Sequence, residues 1–359
     1  MVEGSADLRD IAFEDIEAAA RRIAGRVART PLFHSRAAAR EIERRTGVRI
    51  GGEGIPDRPG GDASPGADEP RLFLKCEHLQ VTGSFKARGA VNRVLTLTPE
   101  ERERGIVTMS AGNHAAAVAY AARAAAIPVT VVMPVAAPRL KVEATLAYGA
   151  RVEMFGAHTG ETYERLEQLR DEQGAVYISP FDDPRVIEGQ GTIGLEIVAD
   201  LPDVDVVVVG VGGGGLLAGI AAALHRLRPS VRVVGVEPEG SDALTQGLAA
   251  GQPVHIEPRT IADGLGAPFA GVWDIDLARR YAGPVVRIPE GVIAHGMRFA
   301  LERMKQVLEP AGATGLGAVL SGAVELRPGE VVCVIASGGN VDLARLPQLL
   351  ATGEPPGHA

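Results

Sequence analysis

From residue 105 onward, short β-branched or apolar runs alternate with helical stretches, and this cadence limits the fold more than any other feature of the 359 residues. Ile106–Met109 reads as a strand, 113–126 (NHAAAVAYAARAAA) as an alanine-rich helix and 127–133 (IPVTVVM) as a buried strand. Helix 138–148, strand 151–155, helix 160–173 and strand 175–178 follow. Strands separated by helices of about ten to fifteen residues are joined by crossovers, which makes them parallel and their βαβ units right-handed. The pattern resumes at strand 204–209, helix 216–227, strand 231–236 and strand 331–336. A pattern that stops and resumes predicts an α/β protein with two open, twisted, parallel-sheet domains. The small one, 105–182, is inserted in a large one made of 1–104 and 183–345. Ahead of these lies a helix over 13–29, ended by Thr30-Pro31. Residues 51–70 are almost wholly Gly, Pro, Asp, Glu, Ala and Ser, with Ile55 the one large apolar residue, so they are expected to be a disordered insertion. Residues 346–359 are expected to be a flexible tail.

Three loops carry the chemistry. Residues 204–225 (VDVVVVGVGGGGLLAGIAAALH) are a strand, a glycine run and an apolar helix. Successive glycines turn backbone amides inward as an anion nest, and the helix start adds partial positive charge, so a phosphate suits the loop. Gly210, Gly212 and Gly215 also satisfy G-x-G-x-x-G, with Glu237 ending the next strand about twenty residues on, the fingerprint of a dinucleotide-binding oxidoreductase. A dinucleotide, another phosphate and a plain tight turn all remain open on this loop alone. The second loop, 75–90 (KCEHLQVTGSFKARGA), places Lys86 after a Thr-Gly-Ser turn, and only four lysines (Lys75, Lys86, Lys141, Lys305) stand among 37 basic residues. The third, 109–115 (MSAGNHA), sits at the carboxyl end of a parallel strand, where α/β proteins bind ligands. Late in the chain, Ser337-Gly338-Gly339-Asn340 follows a strand in the same way.

Composition excludes several classes. A net charge of −8 with no basic block argues against a nucleic-acid partner. Cys76 and Cys333 make neither a disulfide framework nor a zinc spacing, which fits a reducing cytoplasm. The charged N-terminus has no apolar leader, and the uncharged stretch Val206–Leu224 is broken by glycines, so no membrane segment is expected.

Together these residues resemble the serine and threonine dehydratases with serine racemase, pyridoxal-phosphate enzymes related to the tryptophan synthase β subunit (fold type II). The markers are T-G-S-F-K-x-R-G-A at 82–90, S-A-G-N-H at 110–114, G-G-G-G-L at 212–216, I-A-D-G at 261–264, E-P-A-G-A at 309–313 and S-G-G-N-V-D at 337–342. The likeness spans about residues 13–345 apart from the insertion. It implies a cleft between the domains in which the Lys86 amine condenses with the aldehyde of pyridoxal 5′-phosphate and later moves the substrate's α proton. Phe85 packs on the cofactor ring, Asn113 meets its 3′ oxygen, and Gly212, Gly213, Gly214, Gly215 and the Leu216 amide cradle its phosphate. Ser337 faces the pyridine nitrogen with a neutral hydroxyl, which suits elimination better than a long-lived carbanion. Ser110, Ala111, Gly112, Asn113 and His114 hold the substrate carboxylate, His114 serving to fix the helix start.

The resemblance thus implies an ammonia-lyase acting on a small amino acid, L-threonine to 2-oxobutyrate or L-serine to pyruvate. Dehydratases of hydroxyaspartate, phenylserine or the ectoine pathway, and serine racemase, are the alternatives. In the racemases a serine matches Ala111 and supplies the second acid needed to invert the α carbon; alanine has no proton to give. A magnesium, calcium or monovalent ion is a further expectation, at Glu237 with the Ser241 carbonyl, although Ala243 stands where a second carboxylate belongs. The chain ends soon after the last motif, so an added regulatory domain is not expected, and a homodimer or homotetramer is.

Overall fold

The computed structural model describes residues 9–51, 71–110, 112–137, 139–157 and 159–352. Most of the 51–70 insertion, Ala111 and the end of the tail lie outside the described residues. Two sheets organise the chain. The larger takes β1 (Leu32–His34), β2 (Leu72–Lys75), β7 (Val206–Gly210), β8 (Arg232–Pro238), β9 (Val285–Ile288) and β10 (Val332–Ile335) in the order β1-β2-β10-β7-β8-β9. The smaller orders β3 (Ile106–Met109), β4 (Val129–Met133), β5 (Arg151–Met154) and β6 (Val176–Tyr177) as β5-β4-β3-β6. Every pairing is parallel except β1 with β2, where Leu32 faces Lys75 at the sheet edge.

The valine run of β7 is explained by burial on both faces. Val206 and Val208 enter one core with Leu72, Leu74 and Val334, while Val207 and Val209 enter another with Cys333 and Ile335. A central parallel strand covered by helices on both sides leaves no solvent face to mark with polar residues.

Two expectations need correction. The first helix runs Phe13–Ile23, not to residue 29, because the chain turns at Gly25, whose φ is 74°. Residues 346–350, counted above with the tail, form a short helix, Leu346–Leu350, with Leu349 buried against the large core.

The helix Lys86–Leu95 is tied to the longer helix Pro184–Asp200 by a buried ion network. Arg88, fully buried, donates Nε and Nη2 to Glu77 at 2.8 Å each, and Nη1 and Nη2 to Glu196, also at 2.8 Å each. Lys75, equally buried, reaches Glu196 at 2.5 Å and the Thr30 carbonyl at 2.6 Å. Two cations and two carboxylates balance, the condition under which such charges tolerate burial.

Candidate active site

Lys86 opens its helix, and its Nζ donates to the Pro180 carbonyl at 2.6 Å and lies 5.1 Å from the Phe85 ring centre. Burial pushes its ammonium down to about 8. About a tenth of such an amine is free base at pH 7, far more than in an ordinary lysine.

Pro180 belongs to the connection 178–183, which leaves β6 and enters helix Pro184–Asp200. Its next residue, Phe181, packs under the glycine loop: a Cβ at Gly213 would lie 2.2 Å from the Phe181 Cγ. Gly214 has φ 111°, a conformation that a side chain rarely adopts. Lysine and glycine loop are thus set one residue apart along the same strip of backbone. None of the amides of Gly212, Gly213, Gly214, Gly215 and Leu216 donates to an acceptor among the described residues. Five open amides at a helix start leave donors available to an anion.

The other wall is knit from the late motifs. The Phe85 amide donates to the Ser337 carbonyl at 3.0 Å, and Ser337, buried, turns its hydroxyl toward the Ala311 carbonyl at 3.4 Å. Asn113 Nδ2 donates to Glu309 Oε1 at 2.6 Å, and its Oδ1 accepts from Asn340 at 2.8 Å. Gly112 caps the helix Asn113–Ala124, and its amide donates to Ser110 Oγ at 3.2 Å, while the amides of Asn113 and His114 have no acceptor among the described residues. Ala111 lies outside those residues.

His114 is buried, with Nε2 3.0 Å from the Ile178 carbonyl and 3.1 Å from Thr108 Oγ1. A carbonyl only accepts, so Nε2 carries the proton. Burial, reinforced by the Lys86 charge, pushes the ring down to about 3, so it stays neutral. It anchors the helix start to β3 and the connection.

Glu237 is turned to the start of the helix Ala243–Ala250. Its Oε1 accepts from the Leu244 amide at 2.7 Å and its Oε2 from the Thr245 amide and hydroxyl at 3.0 and 2.6 Å. Its carboxyl, pushed up to about 7 by burial, caps the helix Ala243–Ala250, and Ser241 Oγ is engaged with the Leu265 carbonyl. Glu237 is thus engaged with the start of that helix through both carboxyl oxygens. Glu309, Asp274, Asn340 and the pair Pro180-Phe181 belong to the site and had no assigned role in the sequence. Glu309 and Asn340 carried a signal, as the first residue of E-P-A-G-A and the fourth of S-G-G-N-V-D.

A family model described as pyridoxal-phosphate dependent enzyme matches residues 61–338. The chain belongs to that family. It is 44% identical over 283 residues to the L-threonine ammonia-lyase of Thermotoga maritima, covering 79% of this chain and 70% of that protein. It is 41% identical over 281 residues to the catabolic L-threonine dehydratase of Escherichia coli K12, covering 77% and 85%. Among solved structures, that of maize serine racemase superposes with a TM-score of 0.80 at 35% identity, covering 94% of this chain and 95% of that one. The residues present suit the family's cofactor: an amine of lowered basicity for its aldehyde and five unpartnered amides for its phosphate. Among the described residues no helix is long and apolar enough to cross a membrane.

Proposed function

We propose that this enzyme is an L-threonine/L-serine ammonia-lyase, releasing ammonia and 2-oxobutyrate or pyruvate. The observation that carries the reading is the placing of Lys86 one residue along the backbone from the glycine cradle, on the Pro180-Phe181 strip. Pyridoxal phosphate, when bound, supplies the electron-withdrawing ring that accepts the electron pair left at the substrate's α carbon. Lys86 holds it at the aldehyde end, and the same amine, part free base near neutrality, takes the α proton. Gly212, Gly213, Gly214, Gly215 and Leu216 fix the phosphate end through their amides, Phe85 flanks the ring, and Ser337 offers a neutral hydroxyl to the ring nitrogen. Asn113 and Glu309 form one bonded unit at the ring's oxygen edge. The substrate carboxylate is received by the open amides at the start of helix Asn113–Ala124, with Ser110 shaping that turn through the Gly112 amide. His114, held neutral by burial, takes no proton. Ala111 supplies no second acid, which favours elimination over racemisation.

The names of the relatives at 41–44% identity support threonine as the substrate. The inserted domain 105–182 brings the carboxylate loop and the Pro180-Phe181 strip to a cleft whose other parts come from 1–104 and 183–345. The assembly we infer is a homodimer or homotetramer, and the setting the reducing cytoplasm.

The test is release of 2-oxo acid from a panel of threonine, serine, hydroxyaspartate and phenylserine. Threonine and serine should lead, Lys86→Ala should lose at least about 10³-fold in rate, and borohydride should fix the cofactor on Lys86. Retained turnover in Lys86→Ala, or a clear preference for hydroxyaspartate, would overturn the assignment.

A further inference from the structure

The helix Val272–Tyr281 starts against the glycine loop, where the Gly271 amide donates to the Gly213 carbonyl at 3.0 Å. Asp274, in its first turn, is 0% exposed, and neither Oδ1 nor Oδ2 has a hydrogen-bond partner of ordinary geometry. Its side chain lies directly beneath the loop: a Cβ at Gly214 would be 2.6 Å from the Asp274 Cβ and 3.5 Å from Oδ2. A second carboxyl comes from the connection 178–183. A Cβ at Gly271 would meet Asp274 Oδ2 at 2.5 Å and Asp182 Cβ at 2.6 Å. The groups facing Asp274 are therefore Asp182 from the connection, Lys86 from its helix and the Gly271 amide from its own helix start.

Ionised, Asp274 would be a dry carboxylate beside another carboxylate, under amides arranged for an anion. The nearest cation, Lys86, directs its amine to Pro180 instead. Buried charges without partners give up their charge, and a carboxyl that keeps its proton becomes a hydrogen-bond donor. We infer that Asp274 works as a neutral carboxylic acid beneath the cradle, a sixth donor that serves the phosphate end of the cofactor. Burial and then Asp182 hold its carboxyl well above the usual range, with Lys86 and the Gly271 amide pulling less strongly the other way. This rests on the reading of Gly212 to Leu216 as a phosphate cradle.

The probe that separates the two ideas is pyridoxine 5′-phosphate, which has the phosphate but no aldehyde for Lys86, with pyridoxine as control, titrated into the full chain freed of its cofactor. If the phosphate adds no affinity over pyridoxine, the cradle fails and the proposal falls with it. If it does, Asp274→Asn should bind within about threefold of the parent, since its amide still donates. Asp274→Ala should bind about tenfold or more weakly, the worth of one hydrogen bond to a charged group. The infrared spectrum of the holoenzyme should contain the carbonyl stretch of a protonated carboxylic acid that Asp274→Asn removes, a readout that does not depend on the alanine variant folding. An unchanged acid band, or tighter phosphate binding by Asp274→Asn as expected on deleting a negative charge, overturns the role of Asp274 while leaving the cradle intact.

Discussion

Replacing Arg88 by methionine removes one cation from a buried set of four charges and keeps an unbranched stem in place of the aliphatic part of the side chain. Glu77 and Glu196 each lose two bonds of 2.8 Å, and Lys75, which donates to Glu196 and to the Thr30 carbonyl but not to Glu77, can offset one of the two carboxylates. One buried negative charge is left without compensation, a loss of about 3–5 kcal/mol at pH 7. The pH dependence has a definite sign. Burial pushes the Glu196 carboxyl up, but bonds and charge from Arg88 and Lys75 outweigh it, and the group sits below its ordinary value. A carboxyl depressed on folding contributes stability above its unfolded pKa of about 4.3, and that contribution fades as pH falls through the folded value. Arg88→Met discards part of that contribution, so the gap from the parent should be widest near neutrality and narrow below about pH 4. Urea unfolding followed by fluorescence of Trp273, the one tryptophan, measures it. A gap under about 1 kcal/mol at pH 7, or one that widens in acid, would refute the idea that this network anchors the lysine's helix.

Further outcomes follow from the same geometry. Gly213→Ala puts a methyl 2.2 Å from the Phe181 ring, and overpacking of about 1–3 kcal/mol should weaken cofactor retention about tenfold in equilibrium dialysis. Cys76 and Cys333 are buried, and burial pushes both thiols up to about 12, so an aromatic disulfide reagent should modify neither in the native protein and both in urea. With alanine at 111, D-serine formed from L-serine should stay below about one part in a hundred of the pyruvate released, as chiral chromatography would show.

The strands of both sheets other than β1, β2 and β9 were legible within a residue or two, because β-branched runs such as Val129–Met133 and Val206–Gly210 cannot hide in a polar context. Helix Pro184–Asp200 was not. Gly189, Gly191 and Gly194 break its apolar pattern, and they are there for tertiary reasons: Cβ atoms would meet Gly89 Cα at 2.6 Å, the Gly219 carbonyl at 3.0 Å and Ala223 Cβ at 2.8 Å. Strand Val285–Ile288 is short and half-buried, so its alternation is faint. Within the site, Lys86 and the glycines were legible because local chemistry requires those residue types. Asp274 and Pro180 were not, since their roles depend on contacts 60 residues from the glycine loop and 94 from the lysine along the chain.

The connection 178–183 has no slack. The Ile178 carbonyl takes Thr108 and His114, Ser179 Oγ takes the Phe181 and Asp182 amides, and the Pro180 carbonyl takes Lys86. The Phe181 ring fills the space under Gly213, Asp182 takes the Trp273 amide, and Asp183 caps the next helix. One added residue lengthens an extended segment by about 3.3 Å, more than any of these contacts can absorb. Insertions and deletions that surface loops accommodate should therefore be purged from this stretch, and its length, like the identity of Lys86, is a specification of the enzyme.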